Sequence, residues 1–430
     1  MPLTVLTDVD VRKVLDTLDK ADIQMMHKAL ADALHNYSTA TDDGSGCCAA
    51  NQPSRIAIKR KDGGATLFMP ATSDEAMGVK IVTLAESSAS ADVNSLASST
   101  RSLSLITSGS SSPGHSRSSS PGPIPRAGTP VSAHASRAST FGSSHHNSSI
   151  SGASTTTTSA SVSTDATTRS STADEPKPDT ITSSGVPIFN PRHAVDLAPP
   201  SATSPTGSIT LLSRSGQPRA FINAATFTAF RTALASMLLF HIRDNVHTLT
   251  VFGAGLQAYW HIHLALLMRG EEIHHLNVIN RSFPRAQRMM ITLAKHQAIG
   301  FGEKMRPSIL TPEYGEYTRL LKEHVRNADA IICCTPSTEP LFPPSYLTNP
   351  EGRRKARYVA AVGSYKPHMQ ELHADILRRA VAPHSHGRHN HRHAQDGGAI
   401  VVDSIEGALR EAGEVINAGI GAHGVVELGE

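Results

Sequence analysis

Val251-Phe252-Gly253-Ala254-Gly255-Leu256-Gln257-Ala258 is the stretch on which the reading of this chain turns. A short β-like run, Leu249 to Phe252, leads into it, and an apolar helix-like segment, Gln257 to Met268, leaves it. Strand, G-x-G-x-x-A turn and helix in that order form the entry to a dinucleotide-binding βαβ unit. Gly253 serves the tight turn, Gly255 admits a pyrophosphate, and Ala258 allows close helix–strand packing. Amides at the helix start, around Ala254 and Gln257, then face the phosphates. A bare glycine pattern also opens ordinary buried helices; the flanking elements are what make this one specific.

Downstream, the pattern alternates. Strand-like runs are Leu249–Phe252, Leu276–Ile279, Ala330–Cys334, Tyr358–Val362 and Ala399–Val402, with helix-like runs between most of them. Such alternation predicts an α/β fold, a parallel sheet with helices on both faces. From Val246 to Met268 there is no Asp, Glu, Lys or Arg. The segment changes period midway and holds Gly253, Gly255, Gln257, His261 and His263, so strand, turn and helix explain it better than a membrane span.

Upstream, Val9 to Leu34 has apolar residues at helical spacing, with Asp8 or Asp10 placed to cap. Arg55–Lys59 and Thr66–Met69 read as strands around Asp62-Gly63-Gly64, and Val79–Leu84 as another. Ser208–Leu212 and Ala220–Ile222 flank Ser215-Gly216, a hairpin signal, and Thr228–Arg243 reads as a long apolar helix. Between these blocks, from 87 to 184, about half the residues are Ser or Thr. That composition cannot bury enough apolar surface to offset chain entropy and predicts a disordered insertion. Ser112-Pro113, Ser120-Pro121, Thr129-Pro130 and Ser139 resemble phosphorylation sites, as any Ser-rich tract does by chance. The expected organisation is therefore 1–86 and 185–243 as one discontinuous domain, 87–184 as the insertion, and 244–430 as the nucleotide domain.

Composition narrows the function. The chain has 430 residues and a net charge of +3, with basic residues scattered and no aromatic-interleaved patch, which argues against nucleic acid. Its cysteines are two adjacent pairs, Cys47-Cys48 and Cys333-Cys334, and its start lacks the basic-then-apolar order of a secretory signal. A reducing, cytoplasmic setting follows as the expectation. His384, His386, His389, His391 and His393 lie among Gly, Arg and Asn without an interleaved Cys or carboxylate. They read as a solvated loop, and no metal site is expected.

The cofactor is read about 20 residues past the glycines, where an Asp or Glu would bind the ribose 2′-hydroxyl. Here the chain has Asn280-Arg281-Ser282. Arg281 can pair with a 2′-phosphate, and Asn280 and Ser282 can donate hydrogen bonds, so NADP(H) is expected over NAD(H).

The remaining motifs resemble the ornithine cyclodeaminase/mu-crystallin family. They are Met69-Pro70-Ala71 with Gly78-Val79-Lys80-Ile81-Val82-Thr83; Thr228 to Ala233; Gly253 to Ala258; Ala328-Asp329-Ala330-Ile331 through Thr335 to Pro340; Gly363-Ser364-Tyr365-Lys366-Pro367 with Glu371-Leu372; and Val402-Asp403-Ser404 with Glu411 to Glu414. They keep the family's order and cover most of the chain outside the Ser-rich tract. The resemblance implies a Rossmann domain beside a discontinuous α+β substrate and dimerisation domain, with the active site between them, in a homodimer. It implies that Arg55, Lys80 and Arg231 bind substrate, with Lys80 also the catalytic candidate. Thr335 and Ser337 would lie near the nucleotide, and Val362 and Gly363 near the nicotinamide. A forked guanidinium suits a substrate carboxylate, and a partly desolvated lysine suits carboxylate binding or proton transfer.

Two departures from the family matter. Cyclodeaminases of this family carry an aspartate shortly after the glycine of the fifth motif; here Gly363-Ser364-Tyr365-Lys366-Pro367-His368 has no carboxylate before Glu371. The sequence also ends at Glu427-Leu428-Gly429-Glu430, where a further helical segment packing near the first domain is expected. The leading expectation is an NADPH-dependent imine reductase acting on a carboxylate-bearing imino acid, with Tyr365 or His368 as alternative proton donors. The alternatives are ornithine cyclodeaminase itself, converting ornithine to proline and ammonia, and a non-catalytic mu-crystallin-like binding protein.

Overall fold

Two sheets organise the chain, and the glycine turn lies at the centre of one of them. The computed structural model describes residues 3–39, 53, 55–61, 64–73, 76–84, 206–296, 299, 301–302, 304–382 and 398–430. All of them fall within one compact unit. The Ser/Thr-rich segment with its phosphorylation candidates, Cys47-Cys48 and the histidines from 384 to 393 lie outside the described residues.

The five-stranded sheet contains β7 (Thr248–Phe252), β8 (His275–Ile279), β9 (Arg306–Leu310), β10 (Ala330–Cys333) and β11 (Tyr358–Ala361). Its order is β11-β10-β7-β8-β9, and every pairing is parallel. This is a doubly wound sheet whose strand order reverses between β7 and β10, so ligands belong in the crevice beyond the carboxyl ends of those two strands. Side chains alternate between two cores. Leu249, Val251, Leu276, Val278, Ala330 and Ile332 belong to one cluster, and Phe252, Ile279, Ile331 and Cys333 to the other. Burial on both faces is why these strands read as continuous apolar runs.

Two strand expectations are corrected. β9 escaped the sequence pattern because Arg306-Pro307-Ser308 is polar and breaks the run; a proline is tolerated there because β9 is an edge strand. The Ala399–Val402 run forms β12 (Ile400–Val402), but it pairs with β13 (Val425–Glu427) in a separate two-stranded sheet and does not extend the main one.

The six-stranded sheet has the order β1-β6-β5-β4-β3-β2, from β1 (Thr4–Leu6), β2 (Ile56–Lys59), β3 (Ala65–Thr72), β4 (Ala76–Leu84), β5 (Thr206–Ser213) and β6 (Pro218–Asn223). β1 joins β6 in parallel, and the other pairings are antiparallel. β4 and β5, adjacent in space, stand on either side of residues 85–205 in sequence. The β5–β6 hairpin turns at Gly216, whose φ of 80° suits glycine.

The expected helix from Val9 to Leu34 is two helices, α1 (Asp8–Asp16) and α2 (Lys20–Ser38). Each has its own capping box, Thr7 with Asp10 and Asp19 with Asp22, and those local bonds break the run. Asp10 is thus the third residue of a box whose cap is Thr7. Asp8 serves the first turn of a different helix, whose cap is Asn223. Its carboxylate accepts from the Thr226 amide at 2.9 Å and the Thr226 hydroxyl at 3.0 Å, in the first turn of α3 (Ala224–His241).

α3 packs along α4 (Leu256–Arg269), the helix that follows the glycine turn. Phe230 meets Trp260 edge-on at 5.3 Å, the Ser236 hydroxyl lies 3.0 Å from His261 Nε2, and Arg269 donates to the Phe240 carbonyl. The contacts advance together along both helices, so α3 and α4 run in the same direction. At the other end of the chain, the Gly429 carbonyl lies 2.9 Å from His35 Nδ1, and a Cβ on Gly429 would stand 2.1 Å from the Leu34 carbonyl oxygen. The final residues therefore pack on α2. Among the described residues no helix is long and apolar enough to cross a membrane.

Candidate functional site

Gly253 ends β7 with φ 107°, and a Cβ there would stand 2.7 Å from the Cys334 carbonyl oxygen. Glycine is required twice over, by backbone angle and by the close pass of the β10 loop. Gly255 caps α4 without any side-chain hydrogen bond, and the nearest atom to a Cβ there would be Arg285 Nη2, 3.9 Å away. Space above Gly255, uncapped first-turn amides and a guanidinium alongside are what a dinucleotide pyrophosphate needs. Ala258 is completely buried, as helix–sheet packing requires, and Ala254 is buried beside it. The Gln257 carbonyl oxygen lies 2.7 Å from His261 Nδ1.

Arg285 was missed in the sequence. It lies in the first turn of α5 (Phe283–Lys295) and donates to the Ala254 carbonyl at 3.2 Å. The available signal was a basic residue one turn past the ribose-reading position.

At that position, Asn280 donates its side-chain amide to the Ser282 carbonyl at 2.8 Å, so one of its donors is already engaged. Arg281 and Ser282 are exposed, and Ser282 begins α5 without a side-chain cap bond. Arg281 has no ion pair among the described residues.

The far side of the crevice is organised by Glu371, a fully buried carboxylate. One of its oxygens accepts from the Thr335 amide at 2.6 Å and the Thr335 hydroxyl at 2.8 Å; the other accepts from the Gly363 amide at 2.7 Å. Gly363 presses so closely on Thr335 that a Cβ would stand 2.0 Å from the Thr335 carbonyl oxygen. Burial pushes the Glu371 pKa up to about 7 even though these donors oppose the shift. Glu414 completes the arrangement, accepting from the Glu371 amide and the Ser364 hydroxyl, both at 2.6 Å. Ser337 donates its hydroxyl to the Glu339 carbonyl at 2.7 Å, and Val362 continues the ladder through the Cys333 carbonyl at 3.0 Å. Sequence pattern offered Glu371 only as a motif letter; that it ties two loops together is a tertiary fact. Asp329, another motif residue, accepts from the amides of His247 and Thr248 at 3.0 and 2.9 Å. It therefore stands at the amino ends of β7 and β10, opposite the crevice.

The charges of Arg231 and Arg55 both reach Lys80. Lys80 sits in the middle of β4, paired with Met69 and Ile209 on its neighbours. Burial, and then the positive charges of Arg231 and Arg55, lower its pKa to about 8. Arg231 is exposed within α3, two turns in and not in the first turn, because the helix begins at Ala224. Since α3 and α4 run the same way, Arg231 lies toward the end of the pair where the glycine turn is. Arg55 precedes β2 and forms a 2.9 Å ion pair with Glu411 of α9 (Ile405–Glu411, numbering helices in order with α6 Tyr317–Asn327, α7 Ser345–Thr348 and α8 Ala374–Val381). A ligand at Arg55 must share its guanidinium with that carboxylate. Tyr365 is half-buried, and Lys366 lies over its ring at 5.9 Å.

Comparison with known proteins agrees with this architecture. The chain is 30% identical over 224 residues to an uncharacterized protein of Saccharomyces cerevisiae, covering 48% of this chain and 58% of that one. It is 26% identical over 204 residues to a Delta(1)-pyrroline-2-carboxylate reductase of Bacillus cereus, covering 47% and 50%. The chain thus spans between half and three-fifths of these relatives' lengths. Its fold is similar to that of Thermococcus litoralis Delta(1)-pyrroline-2-carboxylate reductase, solved with NADH and L-proline, at a TM-score of 0.53 and 15% identity, covering 100% of this chain and 85% of that one. Residues 203–422, just over half the chain, match the ornithine cyclodeaminase/mu-crystallin family, to which the protein belongs.

Proposed function

We propose that the protein is an NADPH-dependent reductase of a carboxylate-bearing imino acid. The observation that carries this reading is Lys80, half-buried in a central strand with Arg231 and Arg55 acting on its charge. Three cations converging on one place suit a carboxylate, and a lysine near neutrality suits proton exchange. A bound nicotinamide supplies hydride to the imine carbon. Arg231, with the shared Arg55, holds the substrate carboxylate, and Lys80 sets the charge or delivers a proton toward the imine nitrogen. The balance is one hydride to carbon and one proton to nitrogen, turning C=N into CH–NH. The reductases among the relatives act on an imine of this type.

The stretch after Gly363 favours reduction over deamination. A cyclodeaminase needs a carboxylate to activate water against an iminium carbon. Glu371, the first carboxylate in that stretch, is fully buried and engaged by Thr335 and Gly363. NADP(H) is the preferred cofactor in this proposal because the ribose-reading position holds exposed Arg281 and no carboxylate. NAD(H) remains a usable cofactor, as NADH is for the structural neighbour. A homodimer in the cytoplasm is part of the same proposal.

The test is NADPH oxidation with a panel of cyclic imino acids, alongside ammonia release from ornithine. Net NADPH consumption with an imino acid is expected. Ammonia from ornithine without net consumption overturns the proposal in favour of a cyclodeaminase. Tight NADPH binding with no turnover overturns it in favour of a binding protein.

A further inference from the structure

Away from the nucleotide turn, three helices bring together a carboxylate and two imidazoles. Asp16 is the last residue of α1, His263 lies in the middle of α4, and His296 ends α5. One ligand atom from each lies within 4.8 Å of the other two. His296 Nε2 is 3.0 Å from the Asp16 carbonyl oxygen and 3.9 Å from Asp16 Oδ1. The two imidazoles meet edge-on with centroids 4.5 Å apart.

Each of these residues also carries a buried polar atom with no hydrogen-bond partner among the described residues: Asp16 Oδ1, His263 Nδ1 and His296 Nδ1. Leaving such an atom unsatisfied is costly, so three in one cluster call for an explanation. Each has a form that presents a lone pair.

We propose that Asp16, His263 and His296 bind a divalent transition metal of the zinc type, joining α1 to the two helices that flank the nucleotide turn. Two nitrogens and one oxygen suit zinc and its neighbours and disfavour magnesium or calcium, which take oxygen sets. Bonds of about 2.0–2.2 Å place tetrahedral ligand atoms roughly 3.3 Å apart, a contraction that side-chain rotation supplies. Asp16 keeps 32% of its side chain exposed and provides the entry path, and water completes the coordination. The three ligands come from α1, α4 and α5, so the metal's role is to brace these helices.

The experiment uses the full chain with His384, His386, His389, His391 and His393 changed to serine, which removes a competing source of imidazoles. After chelator treatment it is titrated with cobalt(II) and then with zinc(II). One equivalent of cobalt with ligand-field bands of low coordination number is expected, displaced by zinc, with a zinc-dependent rise in Tm. Asp16→Asn and His296→Gln each weaken zinc binding more than tenfold and abolish the Tm rise. Absence of stoichiometric binding in the serine background overturns the proposal, as does full affinity in both variants. Should the variants fail to fold, X-ray absorption of the zinc-loaded serine background decides: two imidazole nitrogens and a carboxylate oxygen support the site, and any other ligand set overturns it.

Discussion

Glu371 accepts two hydrogen bonds from a single residue, Thr335, through one carboxylate oxygen, while its other oxygen reaches Gly363. The loops after β10 and β11 are thereby held to one buried acid. Its pKa is raised from 4.5 to about 7, chiefly by burial. An acid shifted this way binds more protons folded than unfolded. Its contribution to stability is complete below about pH 4.5 and is lost as pH rises through about 7. Urea unfolding between pH 4 and 8 should therefore show a downward slope across that window. Glu371→Gln should flatten it and weaken dinucleotide binding.

Gly253→Ala should cost stability and cofactor binding together. The φ of 107° excludes most side chains, and the new methyl would press on the Cys334 carbonyl. The strain is about 1–3 kcal/mol, read as a lower urea midpoint. Loss of NADPH fluorescence enhancement in the folded variant would show that the turn holds the nucleotide.

Lys80→Met should lower kcat/KM for the imino acid by roughly 100-fold. Because the free-enzyme lysine titrates near 8, wild-type kcat/KM should fall as pH rises through that value and the protonated form is lost. The variant's profile should lack that limb. An unchanged limb would mean that another group donates the proton.

Arg281→Ala should weaken NADPH binding by about tenfold or more and leave NADH binding unchanged, because only the 2′-phosphate distinguishes them. Equal affinity of the wild type for both nucleotides, with neither altered by the substitution, would sink the assignment. Arg285→Ala should instead weaken both, since Arg285 stands beside Gly255 at the pyrophosphate end.

Asp8→Ala should destabilise the protein by about 1–2 kcal/mol without altering the cofactor preference. It removes the acceptor of a first-turn amide of α3 and the partner of a fully buried Thr226 hydroxyl, while the Asn223 cap stays in place. Thermal unfolding and nucleotide titration separate the two effects.

Local chemistry accounts for what the sequence determined by itself. The strand–turn–helix at Gly253 was legible because a glycine turn and the apolar runs beside it are properties of adjacent residues. The hairpin at Gly216 and the strands around Lys80 were legible for the same reason. Tertiary structure decided what depends on residues distant in sequence. The polar edge strand β9 exists because β8 offers it a ladder, and β12 leaves the main sheet because β13 pairs with it. Asp8 binds the first turn of α3 across 218 residues, a bond no window of sequence contains. Glu371 was visible as a letter, but its work is set by Thr335 and Gly363, 36 and 8 residues away. The lowered pKa of Lys80 comes from burial and from charges on two other elements, which only folding brings to it.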